Sequence, residues 1–156
     1  MIKDLLVGEL VTIAPQATLQ EAASLMESRN VGALVVISES DVGKPRGILT
    51  GRDIVVRCLA KNLDVSTTVE NVLTESLETC PDTAGIYECI SLMRKAGVRR
   101  IPVVDSAGNA IGLVSFNDLV AILSKELFTL TGDLDLSGGT ANGDDGLNFS
   151  EKSEAA

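Results

Sequence analysis

The phrase Gly47-Ile48-Leu49-Thr50-Gly51-Arg52-Asp53-Ile54 returns 65 residues later as Gly112-Leu113-Val114-Ser115-Phe116-Asn117-Asp118-Leu119. In each copy a short apolar run of strand character ends in a hydroxyl residue. A carboxylate follows three positions on, at the start of an apolar-periodic helix. This spacing brings hydroxyl and carboxylate together at a helix N-terminus, where unpaired backbone N–H groups and the positive end of the dipole favour oxygen-rich, anionic ligands such as phosphate. The carboxylate can accept two hydrogen bonds from a ribose diol. Thr50-x-x-Asp53 and Ser115-x-x-Asp118 also fit a helix capping box. A cap alone requires neither Asp twice, where Glu or Gln is the usual residue, nor a glycine at the same offset in both copies.

The surrounding chain repeats as well. Ile2 to Leu6 reads as a short helical turn, and Val11-Thr12-Ile13 as a strand stopped by Pro15. Thr18-x-x-Glu21 opens a helix whose buried stripe is Leu19, Ala22, Ala23 and Met26, ended by Asn30 and Gly32. Ala33 to Ile37 is an apolar run of strand length; the polar loop Ser38 to Pro45 and the strand Gly47 to Thr50 complete a hairpin. The helix from about Arg52 carries Ile54, Val55, Cys58 and Leu59 on one face and dissolves at Lys61-Asn62. The same series then recurs. Val69 to Leu73 answers the opening turn, and Glu78-Thr79-Cys80-Pro81 the first strand and its proline. The next helix bears Ile86, Cys89, Ile90 and Met93, with Gly97 as its cap. Val98 to Val104 and Ile111 to Ser115 flank a turn at Asp105 to Asn109, and Leu119 to Leu127 forms the closing helix. Offsets of 65 to 67 across these elements mark an internal duplication. It divides the chain into residues 1–64, residues 65–130 and a tail, 131–156.

Among 156 residues there are no tryptophans, one tyrosine and three phenylalanines, so packing rests on Leu, Ile, Val and Ala. The net charge of −9 argues against nucleic acid or an anionic membrane surface as a partner, since both need clustered Lys and Arg. No apolar stretch approaches the roughly 18 residues of a membrane span, and Met1-Ile2-Lys3-Asp4 lacks a signal-peptide pattern, so a soluble, cytoplasmic protein is expected. Three unpatterned cysteines and no histidine suggest neither a disulfide framework nor a typical zinc site. Cys58 and Cys89 fall on apolar helix faces and are expected to be buried thiols. The tail is rich in Gly, Ser and Asp. It carries six of the 22 acidic residues and one of the 13 basic ones, the composition of a disordered, solvating segment.

A doubled β-α-β-β-α unit, each copy ending G-h-h-[ST]-x-x-D-[IL] with h apolar, resembles the CBS-domain pair, or Bateman module. Val31-Gly32-Ala33-Leu34-Val35-Val36 and Val98-Arg99-Arg100-Ile101-Pro102-Val103-Val104 are similar to that family's strand before the hairpin. The resemblance implies an α/β fold in which two copies pack sheet to sheet about a pseudo-twofold axis. Two clefts between them would bind adenosine-containing ligands: AMP, ADP, ATP or S-adenosylmethionine. It implies that Asp53 and Asp118, the latter next to Asn117, bind ribose hydroxyls and that Thr50 and Ser115 reach ribose or phosphate oxygens; Arg52, next to Asp53, is a candidate phosphate contact of the first copy. Thr12, Ile13, Thr79 and Cys80, with Leu34, Ile101 and Pro102, would wall the adenine. Arg99 and Arg100 match the family's phosphate-meeting pair and would share a ligand with Asp118. Gly32 and Ala33 take their places in the first copy, which sets the two sites apart.

The leading expectation is therefore a regulatory module that senses an adenine nucleotide and passes its bound state to a protein target, as a homodimer. No obligatory cofactor and no metal are expected. No nucleophile–base pair and no P-loop accompanies the motifs, so the residues support binding and not an enzyme. The rival expectation is a structural or oligomerisation module in which the [ST]-x-x-D pairs serve only as caps.

Overall fold

Ala33, Leu34, Val35 and Val36 are all at least 93% buried, so this run is covered on both faces and forms the middle strand of a sheet. The computed structural model describes residues 1–6, 8–37, 43–73 and 77–133, with side chains to 131. In the first half, β1 (Thr12–Ile13) pairs in parallel with β2 (Ala33–Ile37), and β2 pairs antiparallel with β3 (Pro45–Thr50). The second half repeats this order with β4 (Cys80–Pro81), β5 (Arg100–Val104) and β6 (Ala110–Ser115). The registers Ala33↔Thr50 and Arg100↔Ser115 make Ala33 and Arg100 equivalent. The fold is α/β, two three-stranded sheets each with its own helices.

Helix α1 (Leu19–Ser28) starts at the expected box: the Thr18 hydroxyl accepts from the Glu21 N–H at 3.2 Å, and the Glu21 carboxylate accepts from the Thr18 N–H at 2.7 Å. It buries Leu19, Ala22 and Met26; Ala23 is exposed and Leu25 packs on the core instead. Helix α3 (Ile86–Ala96) buries Cys89 and Met93, and Gly97 turns left-handed at φ +67° to end it. The proline correspondence fails in detail. Pro15 follows β1, whereas Pro81 is paired with Val104 inside β4, an edge strand that needs no donor there.

Two helices differ from their sequence pattern. Helix α2 makes a single α-turn (Gly51–Asp53), continues as a π-turn (Ile54–Cys58) and closes with a 3-10 turn (Leu59–Lys61). The wide turn, with the Leu59 N–H reaching the Ile54 carbonyl, rotates the residues that follow. Cys58 is buried and Ile54 packs on the core, but Val55 and Leu59 are 55% and 58% exposed rather than sharing that face. Helix α4 runs Phe116–Asp133, beginning directly after Ser115 and passing the expected end at Leu127. In its last turns the Thr129 and Thr131 hydroxyls donate to carbonyls four residues back, and Leu127, Phe128 and Leu130 remain exposed. Residues 134–156, most of the expected tail, and 38–42 of the first hairpin loop lie outside the described residues.

The repeats exchange their opening turns. Ile2, in the 3-10 turn Ile2–Leu5, is fully buried in the second half's core with Cys80, Cys89, Met93, Ile101 and Leu119. Val69, 67 positions on and in the turn Val69–Asn71, is fully buried in the first half's core with Leu19, Leu34, Leu49 and Cys58. The Ile2 N–H donates to the Ala84 carbonyl at 2.8 Å, and the equivalent Val69 N–H donates to the Ala17 carbonyl at 2.8 Å. These paired bonds express a pseudo-twofold relation between the halves. Residue 64 thus divides the sequence repeat but not the packing.

Candidate nucleotide clefts

Both [ST]-x-x-D motifs form the reciprocal cap. Asp53 Oδ2 accepts from the Thr50 N–H at 2.9 Å and hydroxyl at 2.6 Å, while the Asp53 N–H donates to the Thr50 hydroxyl at 3.2 Å. Asp118 repeats this geometry with Ser115 at 2.9, 2.6 and 3.2 Å. The cap engages one carboxylate oxygen. The other, Oδ1, faces the Arg57 Nε at 3.4 Å in Asp53, and has no hydrogen-bond or ion-pair partner among the described residues in Asp118. Arg57 is itself held at 2.9 Å by the Val72 carbonyl of the exchanged turn. The cap thus leaves Oδ1 of Asp118 available, whereas that of Asp53 is paired with Arg57.

Each motif lines a cleft completed by the other half. The Asp53 cleft, about 350 Å³, takes Ile48, Thr50, Arg52 and Asp53 from the first half and Leu77, Glu78, Gly97, Val98, Arg99 and Arg100 from the second. The Asp118 cleft, about 310 Å³, takes Leu113, Ser115 and Asp118 from the second half and Leu6, Glu9, Leu10, Val11, Val31, Gly32 and Ala33 from the first, with Arg100 at its edge. Both volumes fall in the range of small-molecule sites; the lining is mainly apolar in the Asp53 cleft and mainly polar in the Asp118 cleft. Gly112, which also lines the Asp118 cleft, has a packing reason for lacking a side chain. A Cβ there would lie 2.6 Å from both terminal carbons of Leu6.

Several expected residues lie elsewhere. Ile13, Leu34, Cys80 and Ile101 sit in the two cores, Pro102 is fully buried, and none of them lines a cleft. Thr12 is exposed, Thr79 is half-buried, and neither lines a cleft. For Leu34 and Ile101 the reason is the pleat. Leu34 and Ile101 come one residue after Ala33 and Arg100, so they point to the opposite face of the strand. The walls are instead Leu10, Val31 and Leu113 in one cleft and their equivalents Leu77, Val98 and Ile48 in the other. The duplication offset, applied to one cleft, predicts the other. Arg99 lines the Asp53 cleft and not that of Asp118, correcting the expected pairing; its guanidinium donates to the exposed Asn117 amide oxygen at 3.3 Å.

The CBS-domain profile matches residues 2–59 and 69–125. The chain belongs to the CBS-domain family. It is 36% identical over 118 residues to the CBS domain-containing protein YhcV of Bacillus subtilis, covering 76% of this chain and 81% of that protein. Among solved structures, the CBS domain protein PAE2072 of Pyrobaculum aerophilum, complexed with AMP, superposes with a TM-score of 0.71 at 26% identity. That match covers 81% of this chain and 97% of the other. The CBS domain pair of MJ0100, in complex with 5'-methylthioadenosine and S-adenosyl-L-methionine, also gives a TM-score of 0.71 at 26% identity, with the same coverage.

Proposed function

We propose that this CBS pair is a non-catalytic regulatory sensor that binds adenosine-containing ligands in its two clefts and transmits occupancy to a protein target through a change of shape or assembly. The observation that carries this reading is the Asp53 cleft. A hydroxyl–carboxylate pair from one half faces arginines of the other across an apolar gap. The carboxylate suits a ribose diol, the walls suit a flat base, and guanidinium groups suit phosphate. AMP, ADP and ATP match this cleft better than S-adenosylmethionine, which brings a sulfonium and no phosphate. The AMP-complexed relative of the same fold supports the reading.

The rival is a structural module, favoured by the observation that both carboxylates already serve as helix caps. Thermal unfolding with AMP, ADP, ATP and S-adenosylmethionine distinguishes the two. A ligand at 100 times its Kd stabilises the native state by about 2.7 kcal/mol. A shift with at least one nucleotide is expected; unchanged unfolding with all four assigns the fold to assembly alone.

A further inference from the structure

Position 33 of the first half and its equivalent, position 100, both line clefts that join the two halves. Ala33 pairs with Thr50 yet lines the Asp118 cleft, and Arg100 pairs with Ser115 yet lines the Asp53 cleft. One of the two positions carries a charge. Arg100 lines both clefts, and its Nη2 lies 3.7 Å from where a Cβ on Gly32 would stand. The guanidinium therefore lies at ordinary contact distance from the first half's Gly32, on the side of the Asp118 cleft. Arg100 is exposed and has no hydrogen-bond or ion-pair partner among the described residues, whereas Arg99 is engaged by Asn117. Among the described residues the Asp118 cleft is lined by two carboxylates, Glu9 and Asp118, and by one cation, Arg100.

We infer that Arg100 is a single phosphate-binding group shared by two clefts, so that a nucleotide phosphate in the Asp53 cleft withdraws it from the Asp118 cleft and makes the second nucleotide bind more weakly. The inference rests on the nucleotide reading above and adds the coupling between sites. A phosphate in either cleft draws on this guanidinium and it can face one at a time, so the coupling is negative, belongs to the phosphate, and is reciprocal. Adenosine, without a phosphate, fills the two clefts independently.

Calorimetric titration of the full chain with AMP and adenosine tests this. In a protein whose Asp53 cleft is filled by Ile48→Trp, the Asp118 cleft meets AMP with Arg100 available. The second AMP step of the unaltered protein meets it with Arg100 engaged. The second step is expected to be about tenfold weaker, the scale of a charge-assisted hydrogen bond. Adding Arg100→Ala closes the gap by weakening AMP in the filled-cleft protein, and adenosine shows no gap in either protein. Equal AMP affinities overturn the coupling. A gap that persists in Arg100→Ala, or appears equally with adenosine, overturns the role of Arg100, because repulsion between ligands needs no guanidinium. Two AMP steps without coupling leave the nucleotide reading intact, whereas absence of binding to either cleft overturns both.

Discussion

At the scale of single residues, Asp118 offers a test that separates capping from ligand binding, because the cap engages only Oδ2. Asp118→Asn keeps an oxygen for the Ser115 donors and should change stability by only tenths of a kcal/mol. It removes the charge that a ribose diol would meet at Oδ1, so AMP and adenosine should both weaken about tenfold in that cleft, as calorimetry would register. Cysteines give a second residue-scale expectation. Cys58, Cys80 and Cys89 are 2%, 0% and 0% exposed, and burial raises all three thiols. Cys80 is pushed from 9.0 to about 12, first by burial and then by its contact with the Cys89 thiol. The fold holds the neutral form. Its contribution to stability is therefore whole below pH 9.0 and falls between pH 9.0 and about 12, where the unfolded chain ionises first. Denaturant midpoints should decline over that window and decline less steeply in Cys80→Ala. At pH 8 a thiol reagent should find none of the three until denaturant is added.

At the scale of elements, the opening turns matter more than their length suggests. Ile2 is fully buried in a core built from residues more than 75 positions away. Ile2→Ala should cost about 2–5 kcal/mol in denaturant unfolding, the range for truncating a buried isoleucine. The loss should be local: hydrogen exchange accelerates in β4, β5 and β6 and not in the first sheet. Val69→Ala should produce the mirror result, loosening β1, β2 and β3. A turn that merely decorated the N-terminus would show neither effect. The π-turn after Asp53 has its own consequence, since it turns Val55, Val56 and Leu59 outward while Cys58 stays in the core.

At the scale of the molecule, the exposed apolar groups Val55, Val56, Leu59, Leu127 and Phe128 argue for a second copy of the chain as a partner. Sedimentation at micromolar concentration should give a dimer. Replacing Val55 and Leu59 together with Asp should return a monomer whose far-ultraviolet dichroism is unchanged; a monomer in the unaltered protein would refute the expectation. The two clefts also differ at this scale. The Asp53 cleft gathers Arg52, Arg99 and Arg100, and the Asp118 cleft shares one arginine with it. The pseudo-twofold relation of the backbone is therefore not a symmetry of charge.

The order of strands and helices, the two capping motifs and the inequivalence of positions 33 and 100 were legible in the sequence, because turn chemistry, capping and an offset of 67 are local or periodic signals. The outward face of the strands was not. Leu34 and Ile101 belong to runs buried on both sides, where hydropathy has no alternation to reveal which residue meets the core and which the cleft. The π-turn hid behind a regular apolar spacing. Which half completes which cleft, the exchange of Ile2 and Val69 between cores, and the place of Arg100 between two sites arise from contacts remote in sequence. Only the packing of one half against the other brings them together.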